Sequence, residues 1–317
     1  MDVVCLPNVM MRIAAIDIGT NTILMLVADS DGTSIQSIVR DEHVIARLGK
    51  GVDEHRVILP ETIERVEQYL ASYKEIAATV GAAHIAVFGT SALRDAKNRD
   101  EVVQHIQQTT GLNVSTLSKE DEAFLTFRGA VSGLSVRNSS VAVVDIGGGS
   151  TEIALGRNNQ VLRHVSLDMG SVRLTERFLV QSPPSTQHLQ LAEQFVRDLL
   201  SQAPTLEQNT TFVGVAGTLT TLAAIDLQLS SYDGTRVNGY RLGKSAVERI
   251  FDGLRRMTIG EISNVPQILP GRADILLAGI LILKEILAYY KQDSIVVSDR
   301  GLRFGILLRE AERLAGR

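Results

Sequence analysis

Two stretches of this chain share one construction, and that repeat limits the folds it can adopt more than any other feature. Residues 12–29 read RIAAIDIGTNTILMLVAD, and residues 141–155 read VAVVDIGGGSTEIAL. Placing Asp17 over Asp145 sets Ile18 on Ile146, Gly19 on Gly147, Thr22 on Ser150 and Leu26 on Ala154. Each copy is an apolar strand, an Asp-Ile-Gly corner, a polar turn and a second apolar strand. A glycine-rich corner costs backbone entropy, so it marks a place where the main chain must come close to something. Two copies predict a duplicated architecture in which each half opens with a β-hairpin. If the acid-tipped hairpins face each other across a cleft, the cleft suits a phosphate chain and a metal ion.

A chain of 317 residues has room for two domains, each with its own core. Alternating short apolar strands and helical segments predict α/β layers around largely buried mixed sheets. Strands are expected near 12–18, 21–28 and 34–40, a helix at 61–80, and a strand at 84–90. A helical stretch then covers 91–111, followed by a strand at 113–117 and a joining helix at 118–134. The second half repeats the plan, with strands near 140–146, 150–156, 161–167, 211–217 and 294–301 and helices between them. A closing helix runs to about 315.

The net charge of −4 provides no global field for a polyanion, a nucleic acid included, so any basic surface must be local. The longest apolar run, Ile275 to Leu283, is far shorter than a membrane span. The leader MDVVCLPNVMM lacks the basic start and apolar segment of a signal peptide, and Met10 or Met11 would begin the protein just before its first strand. Cys5 is the sole cysteine, which leaves no disulfide or thiolate metal site. These features together set the expectation of a cytoplasmic protein.

The hairpin-first duplication resembles the actin-like, ribonuclease H-like ATPase superfamily. Within it the chain resembles the exopolyphosphatase/guanosine pentaphosphate phosphohydrolase (Ppx/GppA) family. The resemblance is carried by AIDIGTNT, ARLGKG, GTSALRDA, SKEDEA, VVDIGGGSTE, DMGSVRLTE, GVAGTLTTLAA, LLAGILIL and VVSDRGLRFG, in that order over nearly the whole chain. It implies two ribonuclease H-like lobes, the first formed by residues 1–120 with a returning helix at 301–317 and the second by 121–300. It also implies an active cleft between them.

Backbone N–H groups of Gly147, Gly148, Gly149 and Ser150 can form an anion nest, and Gly19, Thr20, Asn21 and Thr22 form its counterpart. The same residues would also serve as ordinary tight turns. Asp17 and Asp145 stand at strand ends beside them, suited either to capping the turn or to Mg²⁺, which takes one or two carboxylates together with water and phosphate oxygens. A monovalent cation such as K⁺ is left open. Ser118 reads as the N-cap of the joining helix, which puts Glu122 in its first turn. A helix start is expected to lower that carboxylate's pKa and keep it ionised. Acids in a first turn commonly do no more than stabilise the helix, but the resemblance implies that Glu122 is the catalytic base.

Asp121 stands where the family often has Glu. Glu152, in the STE triplet near the same cleft, is expected to orient either the attacking water or a metal-bound one. Arg94 matches a family arginine and is the expected phosphate clamp, whereas Arg40, Arg47, Arg173, Arg272, Arg300 and Arg303 read as surface residues. Gly217 and Thr218 open a helix after a buried strand, where they suit a phosphate, a base or a plain turn. The six histidines show no ligand spacing and read as structural. Phe304 and Asn238 depart from the family pattern, where Glu and His are frequent.

The implied activity is hydrolytic release of orthophosphate from inorganic polyphosphate or from a guanosine polyphosphate. A homodimer fits the resemblance but has no signature of its own. Two competing readings are a sugar or acetate kinase and a non-catalytic sensor of alarmones or polyphosphate. The carboxylates of the joining helix argue against the first, and the base and metal-ready aspartates argue against the second.

Overall fold

The computed structural model describes residues 10–136, 139–207 and 209–316. The expectations about the leader and Cys5 lie outside that range. The first half begins with β1 (Met11–Ile18), β2 (Thr22–Ser30) and β3 (Ile35–Ile45), continues with α1 (Val52–His55), α2 (Pro60–Thr79), β4 (His84–Gly89), α3 (Ser91–Asp95), α4 (Arg99–Thr110) and β5 (Val114–Thr116), and ends in α5 (Lys119–Ser132). Its five strands lie in the order β3-β2-β1-β4-β5. β1 is central, antiparallel to β2 and parallel to β4. Its unbroken apolar run follows from being covered on both faces. Ala14, Ile16 and Ile18 pack into the core beneath α2 and α4, while Ile13 and Ala15 face the opposite side.

The second half contains β6 (Val141–Ile146), β7 (Thr151–Arg157), β8 (Gln160–Leu167), α6 (Ser171–Phe178), α7 (Thr186–Leu200), β9 (Thr211–Val215) and α8 (Ala216–Asp226). Then follow α9 (Gly234–Val237), β10 (Arg241–Gly243), α10 (Lys244–Leu254), α11 (Ile259–Ser263), α12 (Ala273–Tyr289) and β11 (Ser294–Val297). The sheet order is β10-β11-β9-β6-β7-β8, so β6 sits between an antiparallel hairpin partner and a parallel neighbour, as β1 does. The duplication read from the sequence is therefore a duplication of topology. Among the described residues no helix is long and apolar enough to cross a membrane.

Two local differences from expectation have clear causes. The helical stretch at 91–111 breaks at Ala96–Asn98, because the Asn98 side chain pairs with both the N–H and the C=O of Ile58 (3.0 and 2.9 Å). The Lys97 N–H meets the Arg56 carbonyl at 2.7 Å. β3 runs on to Ile45, and its mostly exposed, polar side chains hid the extra length.

A last helix, α13 (Leu302–Leu314), returns to the first sheet and buries Leu302, Phe304, Ile306 and Leu307 against Ile13, Ala15, Leu26 and Ala28. It crosses α5 at backbone contact: a Cβ on Gly305 would fall 1.9 Å from the Leu125 carbonyl oxygen, and one on Gly129 would fall 2.1 Å from that of Gly301. The opposite face of α5, through Ala123, Phe127, Ala130 and Val131, packs on the second sheet. α5 is thus wedged between the two halves, with no room for a methyl group at the crossing. Gly305→Ala should destabilise the protein by roughly 1–3 kcal/mol. An unchanged midpoint in thermal unfolding would show that the crossing yields easily.

Candidate active site

The two duplicated turns close identically. The Gly19 N–H donates to the Thr22 carbonyl at 2.9 Å, and the Gly147 N–H donates to the Ser150 carbonyl at 3.0 Å. Asp17 and Asp145 occupy the penultimate positions of β1 and β6, at the carboxyl ends of the central strands, where open α/β sheets bind ligands. The turns also touch. A Cβ on Gly148 would lie 2.9 Å from Thr20 Cβ, and one on Gly149 would lie 2.6 Å from Ser91 Oγ. Thr20 Oγ1 and Ser91 Oγ are themselves 2.7 Å apart in a hydrogen bond. At Gly148 and Gly149, then, the missing side chain admits the other lobe, where the sequence suggested room for phosphate oxygens.

The first turn of α6 holds the glycine loop from behind. Ser171 N–H donates to the Gly147 carbonyl and Val172 N–H to that of Gly148, both at 2.9 Å. In a trans peptide the C=O and the following N–H point in opposite directions. With the carbonyls of Gly147 and Gly148 turned toward α6, the N–H groups of Gly148 and Gly149 point away from it. Among the described residues these two donate to no main-chain carbonyl. That is the arrangement of an anion nest.

A cavity of about 520 Å³ spans the two lobes. It is lined by Asp17, Gly19, Thr20, Asn21 and Thr22 from one turn, and by Asp145, Gly147, Gly148, Ser150 and Glu152 from the other. Glu122, Gly217 and Thr218 share the same walls. Gly149 does not line it and faces a small crevice behind the turn, beside Ser91 and Arg173. Arg94 is also set back. Its Nη1 donates to Glu122 Oε2 at 2.7 Å and to the Leu117 carbonyl at 3.0 Å, so it touches the carboxylate named as base before any phosphate. Its Nε and Nη2 are buried without partners among the described residues.

Four carboxylates crowd this space, and each is harder to ionise than usual. Burial, opposed by Arg303, pushes Asp17 up to about 7. Burial, then Glu152 and Asp17, pushes Asp145 up to about 8. Asp145 and Glu152 are direct cross-strand partners, a position where like charges repel. Burial raises Glu152 despite the Ser166 hydroxyl donating to its Oε1 at 2.7 Å.

For Glu122 the expected direction is reversed. Ser118 does cap α5, with its Oγ accepting the Asp121 N–H at 3.0 Å. Even so, burial and the nearby Glu152 outweigh both the helix start and Arg94, and hold Glu122 well above the ordinary carboxylate range. The residue is only 6% exposed, and desolvation decides the sign.

Asp17 Oδ1 is buried with no hydrogen-bond partner among the described residues, next to a second acid of the same sign. Among the described residues no three His, Cys, Asp or Glu side chains converge into a cage of their own. A pair of carboxylates short of positive charge suits Mg²⁺, which keeps waters and phosphate oxygens in its shell, better than it suits a metal held by protein alone.

Several residues read as surface or structural in the sequence belong to this region. Arg272 lines the cavity against Gly217, and burial lowers its pKa. Arg303 lines it too, paired with Asp41 at 2.8 and 2.9 Å. His43, Tyr232 and Asp299 complete that end. Arg47 pairs with Asp274 at 3.0 Å, Arg300 stacks on Phe304, and Arg40 remains exposed. Arg173 is only 7% exposed and is bound on every side. Asn238 bridges the Gly133 carbonyl and the Asp299 N–H. Several of these arginines sit in the quoted motifs, but whether an arginine faces a ligand or a carboxylate depends on partners far away in the chain.

Paired lobes of this topology, with acid-tipped hairpins meeting at one cleft, define an actin-like ATPase fold arranged for phosphoryl chemistry. The Ppx/GppA phosphatase family model matches residues 26–314, and the chain belongs to that family. It is accordingly a phosphoanhydride hydrolase. The exopolyphosphatase 2 of Mycobacterium tuberculosis is 35% identical over 312 residues, covering 94% of this chain and 98% of that protein. The crystal structure of the Aquifex aeolicus Ppx/GppA family member superposes with a TM-score of 0.82 at 32% identity, covering 96% of this chain and 99% of that one. An exopolyphosphatase from Cytophaga hutchinsonii superposes at 0.86 with 26% identity, covering 95% and 98%.

The raised acids fix a pH dependence. Unfolded aspartates titrate near 4, whereas folded Asp17 and Asp145 titrate at about 7 and about 8. Between those values the folded state binds more protons, so the contribution of these two acids to stability is fully present below about pH 4 and is lost as pH rises through the folded values. Without divalent cations, the thermal midpoint should fall from about pH 5 to about pH 9, and Asp145→Asn should flatten the slope. A midpoint that rose over this range would mean that the acids are not buried together.

Proposed function

We propose that this protein is an exopolyphosphatase, releasing terminal orthophosphate from inorganic polyphosphate by direct attack of water in the interlobe cavity. The observation that carries the reading is the convergence of residues 17–22, residues 145–152 and Glu122 on one cavity. The lobes are taken as residues 1–120 with 301–317 and residues 121–300, in a cytoplasmic setting.

In this reading the terminal phosphate rests on the N–H groups of Gly148 and Ser150 and on the turn Gly19–Thr22, all of which line the cavity. Arg272 and Arg303 flank the remainder of the chain. Glu122 accepts a proton from water while Arg94 holds its Oε2. The water oxygen bonds to the terminal phosphorus, the bridging P–O bond breaks, and the shortened chain leaves with the bridging oxygen. The raised pKa of Glu122 suits a base working near neutrality, since proton transfer is most effective when the acceptor's pKa lies close to the working pH. Glu152, steadied by Ser166, orients the same water. Asp17 and Asp145 would hold Mg²⁺, which supplies positive charge to phosphoryl oxygens as negative charge shifts among them.

A second reading is 5′-phosphate removal from guanosine pentaphosphate. It is favoured by the apolar far end of the cavity, where Leu229, Leu269, Ile275, Leu276 and Tyr232 offer a surface for a base.

Glu122→Gln should lower orthophosphate release by roughly 10²–10⁴-fold while polyphosphate still binds. Release should be assayed with short and long polyphosphate, guanosine pentaphosphate and ATP. Undiminished turnover by the variant would remove Glu122 from the base role, and turnover of ATP alone would overturn the substrate reading.

A further inference from the structure

Arg173 joins the two lobes immediately behind the phosphate-facing turn, and nothing in the proposed reaction uses it directly. All three guanidinium nitrogens are engaged. Nε donates to the Gly149 carbonyl at 2.7 Å, within the second lobe. Nη2 donates to Asp95 Oδ2 at 2.9 Å and Nη1 pairs with Asp53, both in the first lobe. The side chain is 8% exposed. Each partner lies next to the machinery of the cavity. Asp95 directly follows Arg94, which holds Glu122. It also shares α3 with Ser91, whose hydroxyl meets Thr20. Asp53 is bound a second time by Arg177 of α6, at 2.8 Å from Nη2. Nearby, the Gly51 N–H donates to Glu176 Oε1 at 3.0 Å, another link from α6 to the first lobe.

The bond to Gly149 bears on the nest itself. With the carbonyls of Gly147 and Gly148 already turned toward α6, Arg173 turns the third in succession, that of Gly149, the same way. The Ser150 N–H, which belongs to that third peptide unit, then points to the opposite side with those of Gly148 and Gly149. The forked geometry of arginine is required for this. An ammonium group is a point charge and cannot hold a carbonyl and two separate carboxylates in fixed directions.

We infer that Arg173 is a positioning residue: it orients the glycine turn toward the phosphoryl group and locks that turn to the first lobe through Asp53 and Asp95. The kinetic side of this inference rests on the phosphatase reading above; the structural side does not.

The test compares Arg173→Lys, Arg173→Ala and Asp95→Asn with the wild-type protein. Orthophosphate release from polyphosphate, thermal midpoint and the radius of gyration by small-angle X-ray scattering would be measured for each. Arg173→Lys and Arg173→Ala should lower kcat by roughly 10–100-fold with a much smaller change in KM, as misplacement of preorganised groups does. Guanidinium ion added at low concentration should restore part of the activity of Arg173→Ala, an effect that a purely structural lesion would not show. The radius of gyration should rise as the lobes part. Asp95→Asn keeps the size of the side chain and should show a smaller kcat loss in the same direction, so the inference stays testable if both arginine variants fail to fold.

A wild-type kcat and an unchanged radius in Arg173→Lys would overturn the inference. So would a loss in Arg173→Ala that follows its thermal midpoint and resists guanidinium. If the wild-type protein releases no orthophosphate, the phosphatase reading fails by itself. Scattering then decides alone, with an expanded Arg173→Ala supporting the lock and an unchanged one refuting it.

Discussion

Four mostly buried carboxyl groups that repel one another line one cavity, and the rest of the architecture can be understood as what keeps them there. Asp17, Asp145, Glu122 and Glu152 come from two central strands, one helix start and one hairpin strand. No single element brings more than one of them. Their mutual repulsion and desolvation are borne by packing elsewhere, chiefly the apolar sheets whose central strands end at the site. Concentrated unfavourable charge of this kind is characteristic of functional sites. It also gives the site a direct reason to bind positive charge, and through it a polyanion that would otherwise be rejected by acids.

α5 turns that chemistry into geometry. It packs on the second sheet through small and aromatic side chains and crosses α13 through Gly129 and Gly305 with no clearance. Its first turn carries Glu122, and α13 opens beside the cavity with Arg303. A rotation of one lobe against the other would therefore move the candidate base relative to the nest. On the far side of the turn, Arg173 binds the two lobes directly. One contact is apolar and close-packed, the other ionic and forked, and together they limit how far the cavity can deform.

The repeat and the strand ends were legible in the sequence because both are local. An apolar run closing on Asp-Ile-Gly specifies its own hairpin whatever surrounds it. The joining helix was legible for the same reason, its Ser118 cap being read three residues from its partner. What escaped was set by long-range contact. The break between α3 and α4 depends on Asn98 meeting Ile58, 40 positions away. Arg173 looked like a surface residue because its acidic partners lie 120 and 78 positions upstream. The ionisation of Glu122 was misjudged because a helix start is visible in sequence and burial is not. In each case the local rule was sound, and a stronger, distant term outweighed it.

The two hairpins have the same shape but have not kept the same side chains, and the difference is informative. In the first, the residue across the strand pair from Asp17 is Leu24; in the second, the residue across from Asp145 is Glu152. The first turn offers Thr20, Asn21 and Thr22, with Thr20 tied to Ser91, while the second offers three glycines and Ser150, tied to α6. Two identical turns would present the same groups from both sides of the cavity. Adding an acid to one hairpin and hydroxyl side chains to the other breaks that symmetry. In the proposed reaction the acidic side would orient the attacking water, and the hydroxyl side would add donors to the phosphate. In-line displacement puts the attacking and leaving oxygens on opposite sides of the phosphorus, and under the proposed reaction the two unlike turns would give those sides different surroundings.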